Sequence, residues 1–467
     1  RDFCLSRGLG DVYKRQLLSC IKTEKPYKEI QILSIRKVFQ TIGLCTLCGI
    51  LLLGCAKTAN QGPDGSKGSS SENSNGITGG STDRETEPSA ASEPSVVSGI
   101  SIPSDFSPGS FSSEDSKEEK AEKLLSKMTL HEKICQLFVV VPEALKGSLS
   151  PASALDAGIA AGLKDYPVGG LVFFKDNLSD PEGTTNFLKD LQECSSVPLL
   201  LALDEEGGRV ARIGNHPAFS VPSTPPMFEV GQTEQTQQAF EAGWKIGKYL
   251  SDYGFNMDFA PVADVWTNPE NTVIGNRSFG SDPKLVSDMS IALAKGLESN
   301  GVCPTFKHFP GHGDTAEDSH TQTAYVNKTL AELEECELLP FRNAISEGCF
   351  AIMVGHISLP AVTGDERPAS LSRTILTELL REQMGFQGVI LTDALNMSAI
   401  TQQFDDGEAA VCAIEAGADI LLMPRDFQAA VAGVEQALET GRLSEERINE
   451  SLRRILGLKM DFGLLPY

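Results

Sequence analysis

The sequence predicts a single (β/α)8 barrel, the TIM-barrel fold, on three observations. Eight short apolar runs alternate with amphipathic helical stretches over about 350 residues. Titratable side chains gather where those runs end, and the N-terminal ends of the runs show no such enrichment. No Gly-rich phosphate loop follows the first run, as it usually does in the competing doubly wound sheet.

The elements follow in chain order. The first residue is Arg and no Met precedes Met128, so residues 1–30 read as upstream read-through or an assembly artefact and are set aside. Arg36-Lys37 then opens a targeting signal. Residues 38–53 are apolar apart from Gln40, Thr41, Gly43, Thr46 and Gly49, and the run ends Leu52-Leu53-Gly54-Cys55. This is similar to a bacterial lipoprotein signal, cut before a Cys that becomes acylated. A plain transmembrane anchor is the alternative, but the run is short for a span of about 20 residues. Both readings put the rest of the chain outside the cytoplasmic membrane, and the first makes Cys55 its lipid anchor. Residues 1–55 are thus artefact plus signal.

Residues 56–116 are rich in Ser, Gly, Glu, Asp, Pro and Asn. Such a segment cannot bury enough apolar surface to offset its ordering entropy, so it reads as a disordered linker. The barrel occupies 117–467. A helix is expected over 121–128, and Thr129-Leu130-His131-Glu132 has the spacing of a capping box. Strands are expected at 136–141, 170–174, 199–203, 256–262, 302–306, 351–355, 388–391 and 419–423. Helices are expected at 236–253, 284–300, 330–346, 372–384 and 406–416.

Composition limits the function. Apolar content of 40% is ample for a large core, and a net charge of −23 argues against nucleic acid and against a broad basic membrane-binding face. The six cysteines beyond Cys55 lack Cys-x-x-Cys spacing and read as small buried hydrophobes.

Strand three runs into Asp204-Glu205-Glu206-Gly207-Gly208-Arg209, strand four into Asp264 and strand five into Lys307-His308. Strand six ends at His356 and strand seven at Asp393. In a barrel these positions converge on one mouth. The densest run is Lys307-His308-Phe309-Pro310-Gly311-His312-Gly313-Asp314-Thr315, closing with Asp318-Ser319-His320. It holds three of the six His and starts where strand five is expected to stop. Two carboxylates facing one pocket suit glycoside hydrolysis. His308, His312, Asp314, Asp318 and His320 also suit a metal site in type, but their spacing matches no compact zinc motif.

These segments, with Phe259-Ala260-Pro261-Val262-Ala263-Asp264-Val265, Asn276-Arg277-Ser278-Phe279-Gly280 and Leu391-Thr392-Asp393-Ala394, resemble family 3 glycoside hydrolases of the β-N-acetylglucosaminidase branch. The likeness runs from about Leu124 to Leu465. It implies a retaining exo-enzyme that releases terminal β-linked N-acetylglucosamine from cell-wall fragments, with no cofactor and no metal. It implies Asp393 as nucleophile, His320 as acid/base and Asp318 as its dyad partner. Asp204, Arg212, Arg277, Lys307 and His308 match substrate-binding positions. The long loop separates this branch from the β-glucosidases of the same family, whose acid/base lies on a second domain; the reading expects none here.

Other residues keep two readings. Asp264 is a structural hydrogen-bonding residue or a site residue, and His312 holds its loop or touches substrate. His356 lines the pocket or caps strand six. Glu205 and Glu206 read as structural or solvated, and Trp266 as a sugar platform or an apolar filler. Rival functions are phosphorolysis of the same bond, β-glucoside cleavage, and a non-catalytic sugar-binding lipoprotein.

Overall fold

A computed structural model of the chain describes residues 115–315 and 324–465. Its centre is eight strands: β1 (Phe138–Val140), β2 (Gly170–Phe173), β3 (Leu200–Leu203), β4 (Met257–Asp258), β5 (Cys303–Phe309), β6 (Ala351–Val354), β7 (Val389–Thr392) and β8 (Leu421–Leu422). All pair in parallel, in the order β7-β6-β5-β4-β3-β2-β1-β8. A parallel bridge from Leu391 to Ile420 joins β7 to the residue before β8 and closes the ring. The strands are buried throughout, which is why they read as unbroken apolar runs rather than as alternating ones. This is the expected (β/α)8 barrel.

The helices Thr236–Tyr253, Pro283–Glu298, Asp406–Ala416, Phe427–Glu439 and Glu445–Asp461 cover the outside. Each lays an apolar stripe on the strands, as Ile246 and Leu250 or Leu293 and Leu297 do, all fully buried. The capping box at Thr129 forms. Its Oγ1 accepts from the Glu132 N–H at 3.2 Å, and its own N–H donates to the Glu132 carboxylate at 2.7 Å.

Several boundaries differ from expectation, each for a physical reason. The helix expected over 330–346 is two, Leu330–Glu335 and Leu339–Ser346. In one continuous helix the Pro340 ring would clash with the Cys336 carbonyl. The first helix runs Lys117–Leu125 because Ser116 caps it. β4 is shorter than expected: Pro261 has no N–H to donate, and the chain continues beside β5 through the single bridge Val262 to Lys307. β8 starts late because the Asp419 side chain, not a strand carbonyl, takes the Ile390 N–H at 2.9 Å. β5 does not stop at Phe306 but runs to Phe309, so Lys307 and His308 lie on a strand rather than in a loop. The cysteines are less uniform than expected: Cys135, Cys303 and Cys412 are buried, whereas Cys194, on the last turn of helix Pro181–Cys194, is exposed. Among the described residues no helix is long and apolar enough to cross a membrane. Cys55, the signal and the linker up to residue 114 lie outside the described residues.

Candidate active site

The C-terminal ends of the strands open on a cavity of about 600 Å³. Asp204, Arg212, Arg277, Lys307, His308 and Asp393 all line it, so every expected site residue within the described part converges there. Asp318 and His320 lie outside the described residues.

One wall is a buried charge array. Asp204 follows β3, and its Oδ1 accepts from Lys307 Nζ at 2.7 Å while Oδ2 accepts from Arg212 Nη2 at 2.7 Å. Glu206, two residues on, accepts from Lys307 Nζ at 2.6 Å and from Arg277 through two bonds of 2.7 and 2.8 Å. That fork is the geometry in which guanidinium binds carboxylate best. The Lys307 side chain is 3% exposed and that of Glu206 1%. Burial alone would raise both carboxyls. The Lys307 and Arg212 charges hold Asp204 well below the usual carboxylate range, and Arg277 with Lys307 brings Glu206 to about 2. Burial would lower Lys307, but Asp204 and Glu206 outweigh it and raise it. Asp204, Glu206 and Lys307 therefore stay ionised near neutrality. They can hold and orient hydroxyls, but they cannot exchange protons with a substrate there.

Asp264 follows β4 and is fully buried. Its Oδ2 meets His308 Nδ1 at 2.7 Å, and its Oδ1 accepts the N–H groups of His308 and His312 at 3.2 and 2.7 Å. The structural reading of Asp264 is the right one, and its work is to orient His308 and the turn that follows. Gly311 there has φ +131°, and a Cβ on Gly313 would fall 1.9 Å from the Val265 carbonyl oxygen. Only glycine allows that approach. His312 lines the cavity and also holds the turn, with its Nδ1 2.7 Å from Thr315 Oγ1. Burial and the neighbouring His308 lower its pKa, which favours the neutral ring.

The rest of the lining comes from β7 and β8, across the barrel, and from β2, beside β3. Asp393 follows β7, half-buried, and its Oδ1 accepts from the Ala394 N–H at 2.7 Å. Met397 and Met423 give the far side an apolar surface, and Phe174 does so beside the charge array, with the Arg212 guanidinium over its ring at 5.0 Å. His356 is fully buried and bonds Ser370 Oγ at 2.7 Å and the Ala394 carbonyl at 2.9 Å. It braces the backbone beside Asp393 and does not line the cavity.

The structure decides between the readings left open for other residues. Glu206 is not solvated; it is the hinge of the charge array, and only its closeness to Asp204 in sequence pointed to it. Glu205 is buried too, facing away from the cavity, where Tyr249 Oη donates to it at 2.7 Å. Trp266 packs edge-on against Phe228 at 5.6 Å and does not line the cavity. Phe174, Met397 and Met423 were given no role from sequence, because nothing in their spacing sets them apart from core residues; Arg209 stood in the run after strand three but was given no role of its own.

The arrangement has known counterparts. A model of the glycosyl hydrolase family 3 N-terminal domain matches residues 129–458. Beta-hexosaminidase A of Pseudoalteromonas piscicida is 37% identical over 322 residues, covering 63% of this chain and 53% of that protein. Beta-hexosaminidase LpqI of Mycobacterium tuberculosis is 35% identical over 340 residues, covering 68% of this chain and 85% of that protein. A solved family 3 beta-N-acetylglucosaminidase from Paenibacillus superposes with a TM-score of 0.68 at 37% identity, covering 72% of this chain and 63% of that one. The chain thus spans little more than half the length of some relatives and most of others. With the parallel barrel and the residues at its mouth, the match over 129–458 leaves one assignment: this chain belongs to glycosyl hydrolase family 3.

Proposed function

We propose that the protein is a retaining exo-β-N-acetylglucosaminidase that trims terminal N-acetylglucosamine from cell-wall fragments outside the cytoplasmic membrane. The observation that carries this reading is that Asp393 lines the same cavity as the fixed array of Asp204, Arg212 and Lys307. The array holds the hydroxyls of the terminal sugar, and Asp393 meets its anomeric carbon.

In the first step the Asp393 carboxylate attacks that carbon. The glycosidic bond breaks, and His320 gives its proton to the leaving oxygen. In the second step water attacks the same carbon and His320 takes the water's proton, releasing Asp393. Two inversions give net retention. Asp318 orients the His320 ring. A His suits this task because its unperturbed pKa of about 6.5 lets it work both ways near neutrality. The ionised groups of the array cannot replace it.

The test is a substrate panel on residues 116–467. A chromogenic β-N-acetylglucosaminide should be cleaved and a β-glucoside should not. Preference for the glucoside would move the chain to the other branch, and no cleavage of either would favour a sugar-binding protein. Added phosphate giving a sugar 1-phosphate would indicate phosphorolysis. His320→Ala should lose about 10²–10⁴-fold on a natural disaccharide, whose leaving group needs a proton, and far less on a nitrophenyl glycoside. Equal losses on both would remove His320 from the acid role.

The anchor at Cys55 belongs to the same proposal. It rests on Leu52-Leu53-Gly54-Cys55. Mass spectrometry of the native mature protein should find an acylated N-terminal Cys55; retention of residues 38–53 would count against it.

A further inference from the structure

We propose that Arg209 selects substrates whose aglycone carries a carboxylate, and this rests on the hydrolase reading above. The cavity is lined by three carboxylates, Asp204, Glu206 and Asp393, and by four permanent cations, Lys307, Arg212, Arg277 and Arg209. Asp204 and Glu206 take up the first three cations. Arg209 has no carboxylate partner among the described residues. Among the described residues it is thus a positive charge that lines the cavity without a carboxylate beside it, in a chain whose net charge is −23.

Its bonds show what remains available. Nη2 donates to the carbonyls of Thr272, Val273 and Ile274 at 2.8, 2.5 and 3.3 Å. A guanidinium has five N–H donors, and Nε and Nη1 make no hydrogen bond among the described residues. The carbonyls fix the plane of the group and leave its other edge open.

Position assigns that edge to the aglycone. Lys307 and His308 are buried at the floor, whereas Arg209 is exposed at the rim. In an exo-acting pocket the terminal sugar fills the floor and the leaving part of the substrate passes the rim. A planar guanidinium there matches a carboxylate better than a hydroxyl. The lactyl ether of N-acetylmuramic acid, β-linked to N-acetylglucosamine, presents such a group.

The test compares that disaccharide with the same compound capped as its methyl amide, which is neutral and nearly isosteric. The wild-type enzyme should favour the acid by about five- to tenfold in kcat/KM, a preference that shrinks with added salt. Arg209→Gln should bring the ratio near one, and Arg209→Lys should keep part of it. A purely structural Arg209, bracing residues 272–274, would lower both rates and leave the ratio unchanged, which overturns the proposal. It is equally overturned if added inorganic phosphate yields sugar 1-phosphate and Arg209→Gln abolishes that response. Equal wild-type rates on acid and amide would sink this inference and leave the hydrolase intact. No cleavage of any β-N-acetylglucosaminide would sink the hydrolase reading itself.

Discussion

Asp419 at the bottom of the barrel is as buried as Glu206 at its mouth, and cations surround both. The Asp419 carboxylate accepts from Arg381, from Arg454 at 3.1 Å, from Ser451 at 2.7 Å and from the Ile390 N–H at 2.9 Å. Arg447 beside it donates to the carbonyls of Ile414 and Ala418 at 3.0 and 2.8 Å. Nearby, Lys459 is fully buried and donates to Gln136 Oε1 at 2.9 Å; Gln136 in turn donates to the carbonyls of Pro167 and Val168. The bottom thus closes its charged groups on one another, on backbone and on helix side chains. The mouth also pairs charge with charge, but leaves Arg209, Arg212 and Lys307 lining the cavity. Buried charge alone does not mark an active site. What its donors face does.

Substitutions can break this contrast. The largest expected effect is at the mouth. Asp393→Ala should cost on the order of 10³-fold or more in turnover while the circular dichroism spectrum stays native, since the half-buried side chain supports little of the fold. Substantial residual turnover would place the nucleophile elsewhere.

At the bottom the pattern should reverse. Asp419→Asn leaves arginines around a neutral amide and should lower unfolding stability by about 3–5 kcal/mol, read from denaturant midpoints. Its kcat/KM, measured where the protein is folded, should stay within about twofold of wild type. A selective loss of activity would mean that the bottom network reaches the site.

Lys459 sharpens the same point through pH. Burial brings its pKa from 10.5 down to about 7. Below about pH 7 the folded protein carries the whole cost of a buried cation. Between about pH 7 and 10.5 the unfolded chain binds a proton that the folded chain does not, so stability rises with pH. Lys459→Met should therefore stabilise at pH 6 by about 1–3 kcal/mol, net of leaving Gln136 Oε1 unpaired. The gain should fade by pH 9.5. A pH-independent gain in denaturant unfolding would show that Lys459 is charged throughout.

The two ends were not equally legible in the sequence. The mouth was readable because its residues lie just past the strands: Asp204 and Asp393 directly after β3 and β7, and Asp264 a few residues after β4. The bottom was expected to lack charge and does not. Arg381, Arg447, Ser451 and Arg454 come from helices, where their spacing looks like a solvated face, and only the closed barrel brings them to Asp419. Lys459 has the same disguise. Lys307 and His308 were found by type but placed in a loop, because a polar pair reads as the end of a strand. They stay on β5 because Asp204, Glu206 and Asp264 compensate them there. Pro340 and Pro261 carried legible breaks that an apolar pattern alone overrode.

In the proposed mechanism Asp393 becomes covalently bonded to the sugar. An activated 2-fluoro sugar slows both steps and lets the intermediate accumulate. After incubation, peptide mass spectrometry should find the fluorosugar on Asp393 and on no other carboxylate, with turnover lost in step with labelling. Labelling of a different carboxylate, or a first-formed product of inverted anomeric configuration by NMR, would contradict it.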